Sequence, residues 1–272
     1  MRNRFAEPIR SSIAATARPQ DSIEERATRF RVSSGPRHLE ASLNTPPRSP
    51  RPPEVAVAVA LSSPPDREGF PSPQDWQQAD PIVFCADWRG KNADPQRETQ
   101  VRLLWTPAAL FLQFRSRYRE LTVFPDASAG GRRDHLWDRD VAEVFLQSDP
   151  RQPLRYAEFE VSPNAFWIDL DINLDPAAER LRDLRSGLTR RVHIDGAQKL
   201  WTAELSIPVR SLTPQFDPAA AWRVNFFRVE GPREPRFYSS WQPTHTPEPN
   251  FHVPQAFGKL LFAPPAASPA QP

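Results

Sequence analysis

The residues best suited to chemistry are a set of carboxylates, tryptophans and arginines in the second half of the chain. Asp138, Asp140 and Glu143 lie close together, and Glu158 follows on the next apolar run. Grouped carboxylates can act as acid and base, accept hydrogen bonds from hydroxyls, or hold a hard cation. Glycoside hydrolysis needs two carboxylates roughly 5–10 Å apart across a cleft, and the spacing along this chain does not exclude it. Aromatic rings beside such groups would cover apolar C–H surfaces of a ligand, and planar charged groups would take its adjacent hydroxyls.

The elements that must position these residues are short strands. Thr99–Trp105 sets Val101, Leu103 and Trp105 on one face, and a Thr106-Pro107 turn leads into Leu110–Arg115. Val141–Gln147, Tyr156–Val161, Trp167–Asp171, Leu188–Ile194, Trp201–Ile207, Trp222–Glu230, Phe237–Trp241 and Phe257–Phe262 follow, with no long helical period between them. The run Val55–Leu61, with valines at period two, reads as a further strand at the domain edge. Many short strands separated by turn signals predict an all-β fold, an antiparallel, jelly-roll-like β-sandwich.

Period-two geometry also assigns faces. Ala142, Val144, Leu146, Ala157, Phe159 and Val161 form the core side. Glu143, Phe145, Tyr156, Glu158 and Glu160 point the other way, as do Phe111, Gln113 and Arg115 in the hairpin. Glu143, Glu158 and Arg115 are therefore expected on one mixed polar and aromatic sheet face, which suits a sugar. The plainer alternative is a solvated face with scattered aromatics.

Composition bounds the rest. Prolines number 33 against 9 glycines and crowd the ends, and hydrophobic content is only 39%, which favours one domain with disordered flanks over two domains. Residues 1–53 are expected to be an Arg-, Pro- and Ser-rich tail, residues 54–263 the sandwich, and residues 264–272 a second tail. The net charge of +2 conceals a basic tail and a slightly acidic domain, which argues against nucleic-acid binding. No apolar run reaches a membrane span. Cys85, the only cysteine, excludes an internal disulfide and a thiolate metal cluster, and its apolar surroundings predict a buried, inert thiol. The first residues lack the apolar core of a secretory signal, which points to the cytoplasm, or to export if the true start differs. Oligomeric state is not legible.

The order of motifs resembles a family 9 carbohydrate-binding module across roughly residues 70–263. Trp76-Gln77-Gln78-Ala79 opens the match, and the hairpin from Thr99 to Phe114 follows. Leu136-Trp137-Asp138-Arg139-Asp140-Val141-Ala142-Glu143-Val144-Phe145-Leu146 carries the most distinctive motif. Tyr156–Asn164, Trp201–Glu204, Trp222–Arg228, Ser240–Thr244 and His252 before Phe257-Gly258 complete it. The resemblance implies a non-catalytic domain in which two tryptophans sandwich a terminal sugar, in support of carbohydrate catabolism. Carried over, Trp137 is one wall, Trp241 the second, and Glu143 and Glu158 contact hydroxyls. Members known to bind sugar tend to have Arg where Glu158 stands, so the site here is more acidic, with Arg115 on the same face to compensate.

Three rivals remain. An independent glycoside hydrolase would need a catalytic domain for which the chain has little room. A haem domain would need ligands, yet Met1 is the only methionine, and convergence of two of His135, His193, His245 and His252 is not indicated. A divergent scaffold could have lost sugar binding altogether. No cofactor is expected, although the acidic loops Asp138–Asp140 and Asp169–Asp175 offer oxygen ligands for a structural calcium ion.

Overall fold

The computed structural model describes residues 54–265, apart from residue 129. The tails expected at 1–53 and 266–272 lie outside the described residues.

Thirteen strands form in chain order: β1 (Val55–Ala60), β2 (Ile82–Phe84), β3 (Thr99–Trp105), β4 (Ala109–Arg117), β5 (Val141–Gln147), β6 (Arg155–Val161), β7 (Trp167–Asn173), β8 (Leu181–Asp183), β9 (Thr189–Asp195), β10 (Leu200–Pro208), β11 (Trp222–Glu230), β12 (Phe237–Ser240) and β13 (Gly258–Ala263). They hydrogen-bond in the order β8-β7-β6-β5-β11-β13-β1-β3-β4-β10-β9, with β12 on β11 and β2 on β3. The all-β sandwich expected from the sequence is thus one continuous sheet that curls over itself.

β1 is the joint. It pairs in parallel with β13 on one side and with the start of the second layer, β3, on the other, so the sheet is not purely antiparallel. Its alanines, not its valines, face inward: Ala56 and Ala58 are fully buried, while Val55 and Val57 are 40% and 41% exposed. Where two layers converge at a corner there is room for a methyl group and little more. The strand expected at the domain edge is thus a joint within the sheet.

Between the layers lies the main core. Ala142, Val144, Leu146, Phe159, Val161 and Phe226 come from one side, and Leu103, Leu110, Leu112, Phe114, Trp201 and Leu205 from the other. Phe114 and Phe226 meet edge-on across the gap, ring centroids 6.3 Å apart. Both outer faces are also covered. On the β3–β4 side, the 3-10 turn Asp75–Gln78 lays Trp76 over Leu104 and Phe111. On the β5–β6 side, a second apolar cluster includes Leu136, Phe145, Tyr156, Phe227, Phe251 and Phe257. Cys85, just past β2, is half-buried rather than buried, and burial, with Glu98 next, pushes its thiol pKa up.

Candidate functional site

Strand alternation sends Glu143, Glu158 and Glu160 to the outer face of β5 and β6. Register then brings them together: Glu143 is opposite Glu160, and Phe145 is opposite Glu158. The 3-10 turn Leu136–Asp138 packs against β6 from above, and Phe251 and Phe257 close the same face from the far end of the chain. The result is not the open face expected from the sequence. Glu143, Glu158 and Glu160 are 2%, 3% and 0% exposed, because loops distant in sequence roof the sheet.

An oxygen from each of the three carboxylates lies within 4.8 Å of the others. Glu143 Oε1, Glu158 Oε2 and both oxygens of Glu160 are buried without a hydrogen-bond partner. Burial, then the neighbouring carboxylates, raises the pKa of Glu143 and of Glu160 well above the ordinary range. Alongside, Tyr156 Oη and His252 Nδ1 are 2.6 Å apart, the ring of His252 stacks on Phe145, and His252 Nδ1 is 3.9 Å from Glu158 Oε2. Burial, then Glu158, pushes the Tyr156 hydroxyl pKa up.

Trp137 sits on the roofing turn. His135, in the left-handed region at φ 57°, turns the chain so that Leu136 enters the core while Trp137 stays half-buried. Arg236 Nη1 donates to the Trp137 carbonyl at 2.7 Å, and Arg236 Nη2 donates to Tyr238 Oη at 2.8 Å. One guanidinium thereby ties two half-exposed aromatics together. Trp88 meets the Tyr238 ring edge-on at 6.3 Å.

No family model matches the sequence. A protein named "Extracellular protein" from Arthroderma benhamiae is 25% identical over 183 residues, which is 62% of this chain and 80% of that protein. Among solved structures, a carbohydrate-binding protein candidate from Bacteroides uniformis superposes with a TM-score of 0.61 at 18% identity, over 76% of this chain and 98% of that one. A family 9 carbohydrate-binding module from Caldicellulosiruptor kristjanssonii matches in complexes with cellotriose and with glucose. The TM-scores are 0.55 and 0.53, each at 14% identity over 80% of this chain and all of the module. The fold is that of family 9 carbohydrate-binding modules.

Within this family 9-like fold the five expected site residues separate. Glu143 and Glu158 converge, joined by Glu160, which the same face assignment contained but which was not singled out. Trp241 is 1% exposed, contacts the Phe226 ring at 5.5 Å and belongs to the main core. It packs there because Gly258 has no side chain: a Cβ at that position would lie 2.7 Å from Trp241 Cη2. Arg115 is on the other layer. Its strand, β4, pairs with β3 and β10, and its inward neighbours meet β11 across the core, so Arg115 and the glutamates face opposite ways. Period two assigns sides within a strand but does not say which layer a strand joins.

In the acidic loops Asp140, Asp169 and Asp171 accept from protein donors, while Asp169 Oδ1 is buried without a partner. Asp140 accepts from the Thr122 and Gly231 backbone N–H groups, and Asp169 accepts from that of Ser186. Asp171 pairs with Arg155 and Arg182. A cleft of about 980 Å³ is lined by Asp149, Arg155, Asp171, Thr213 and Trp222. Neither Trp137 nor the three glutamates line it.

Proposed function

We propose that this domain binds carbohydrate without transforming it, through the surface where Arg236 joins Trp137 and Tyr238. That linkage is the observation that carries the reading. Two half-exposed rings give apolar faces for a pyranose, and Arg236 and the exposed Asp138 stand beside them for its hydroxyls. The likeness to modules solved with cellotriose and glucose supports it. In this reading Tyr238 takes the second-wall role first expected of Trp241, and a role in carbohydrate catabolism follows from the ligand. The glutamates do not support hydrolysis: they are sealed from solvent and closer together than a pair of glycosidase carboxylates.

Calorimetry with glucose, cellobiose and cellotriose, alongside a glycan array, tests the proposal on the wild type and Trp137→Ala. Loss of a stacked ring should weaken binding about tenfold or more. Unchanged affinity in the variant would reject this surface. The burial of Glu143 and Glu158 favours a second reading, a scaffold without sugar binding, and the absence of binding to every glycan would support it.

A further inference from the structure

Three segments of the second layer meet around a cleft of about 480 Å³, lined by Pro95, Gln96, Arg117, Tyr118, Arg119 and Lys199. Backbone bonds hold them together. Arg117 N, at the end of β4, donates to Glu98 O at 2.9 Å, just past the turn Pro95–Arg97. Tyr118 N donates to Lys199 O at 3.0 Å. Lys199 stands in the left-handed region at φ 51°, on the turn from β9 into β10. Its ammonium lies over the Tyr118 ring, 5.3 Å from the centroid, where a cation and an aromatic face attract.

The cleft carries more positive charge than the protein neutralises. Asp94 Oδ2 pairs with Arg119 Nη2 at 2.8 Å and so fixes that guanidinium. Among the described residues no carboxylate is in ion-pair range of Arg117 or Lys199, and both are exposed. Tyr118 supplies an independent observation. It is 6% exposed and its ring belongs to the main core. Its hydroxyl nevertheless has no hydrogen-bond partner among the described residues and is not sealed from solvent. A buried tyrosine usually finds a partner for that group.

We propose that this cleft binds a tetrahedral oxyanion, the phosphate or sulfate group of a small molecule. Arg117 and Lys199 supply the uncompensated charge, Arg119 is held in place by Asp94, and the Tyr118 hydroxyl and Gln96 amide are neutral donors. Charge-assisted hydrogen bonds to such oxygens are roughly twice as strong as neutral ones. Donors on three separate segments suit a tetrahedral group better than a flat carboxylate, which one guanidinium can satisfy edge-on. The volume falls within the range of small-molecule sites, about 300–1,000 Å³, so the anion has room to carry a sugar-sized group. None of these residues belongs to the surface around Trp137, and the inference stands whether or not that surface binds sugar.

The test follows backbone amide shifts of the full chain by NMR at low ionic strength. Inorganic phosphate and inorganic sulfate are titrated against chloride of matched ionic strength, and saturable shifts should centre on Gln96, Tyr118 and Lys199. Calorimetry then compares plain glucose with glucose phosphorylated or sulfated on its primary hydroxyl. Both esters should bind more tightly than glucose, and the tighter of the two identifies the source of the anion. Arg117→Gln combined with Lys199→Gln should weaken ester binding at least about tenfold. Tyr118→Phe should weaken it about threefold or more with an undiminished thermal midpoint, since the hydroxyl bonds nothing in the free protein. Three results would overturn the proposal. They are shifts no larger than those from chloride, binding unchanged in the double variant, or ester binding that Trp137→Ala abolishes and the double variant keeps, which would place the ligand on the sugar surface.

Discussion

Glu143 and Glu160 face each other directly across β5 and β6, both buried, with Glu143 Oε1 and both Glu160 oxygens lacking a donor. Two carboxyl groups buried in directly opposed positions make ionisation costly, so both pKa values are raised and the oxygens are left short of donors. Glu160→Gln, which replaces one carboxyl with a neutral amide that donates, should stabilise the protein by about 1–3 kcal/mol. Urea unfolding measures this. A lower midpoint for the variant would show that the native carboxylate is already compensated within the protein.

Arg236 links Trp137 to Tyr238 through two short hydrogen bonds. Arg236→Ala should loosen both rings and weaken sugar binding about tenfold, or 1.4 kcal/mol. Calorimetry of the variant should show the loss without a matching fall in the thermal midpoint.

Trp241 and Gly258 are matched in the core. Trp241→Ala should cost about 3–5 kcal/mol of stability, whereas Trp241→Phe should leave sugar affinity unchanged. Gly258→Ala places a methyl group 2.7 Å from both Glu54 O and Trp241 Cη2, and such overpacking costs about 1–3 kcal/mol. Denaturant curves read both stability terms. A selective loss of sugar binding in Trp241→Phe would return that ring to the ligand.

Asn225 fastens the chain after β12. Its Nδ2 donates to Gln242 O, and its Oδ1 accepts from the Gln242 and Phe226 N–H groups, each at 2.9 Å and fully buried. Asn225→Ala leaves these groups unsatisfied and should cost at least about 2 kcal/mol. Hydrogen exchange should quicken first at Gln242.

Asp171 is held below the ordinary carboxylate pKa by its hydrogen bond with Arg155, with Arg182 adding to the effect. The folded state thus binds fewer protons in acid, so this contribution is present above the ordinary range and lost as pH falls through the lowered value. Both arginines are well exposed, which limits it to less than about 1 kcal/mol. Asp171→Asn should be slightly less stable at pH 7, and the gap should close as the pH falls below the ordinary carboxylate range. A gap that widens in acid would contradict the pairing.

Much of the strand pattern was readable because alternation is local. Val141–Gln147 and Trp222–Glu230 form over the expected spans, and the sidedness of Glu143, Glu158 and Glu160 follows from period two. The three-residue strands at Ile82 and Leu181 escaped notice, since so short a run carries little period. The site was half legible. Nothing in the Val55–Ala60 sequence shows that two sheet layers meet there and leave room only for alanine, and nothing near Trp241 shows that Gly258 opens a slot for its ring.

By itself, the sequence determined an all-β chain with a carboxylate-rich face and the order of motifs of a family 9 module. Tertiary structure decided what that face is. Residues 136–138 and 251–257 close over it, Arg115 goes to the opposite layer, and Glu160 joins Glu143 and Glu158 in a sealed cluster. The reason is physical: alternation is set by backbone geometry within a few residues, whereas burial, and with it charge, depends on segments far apart in the chain.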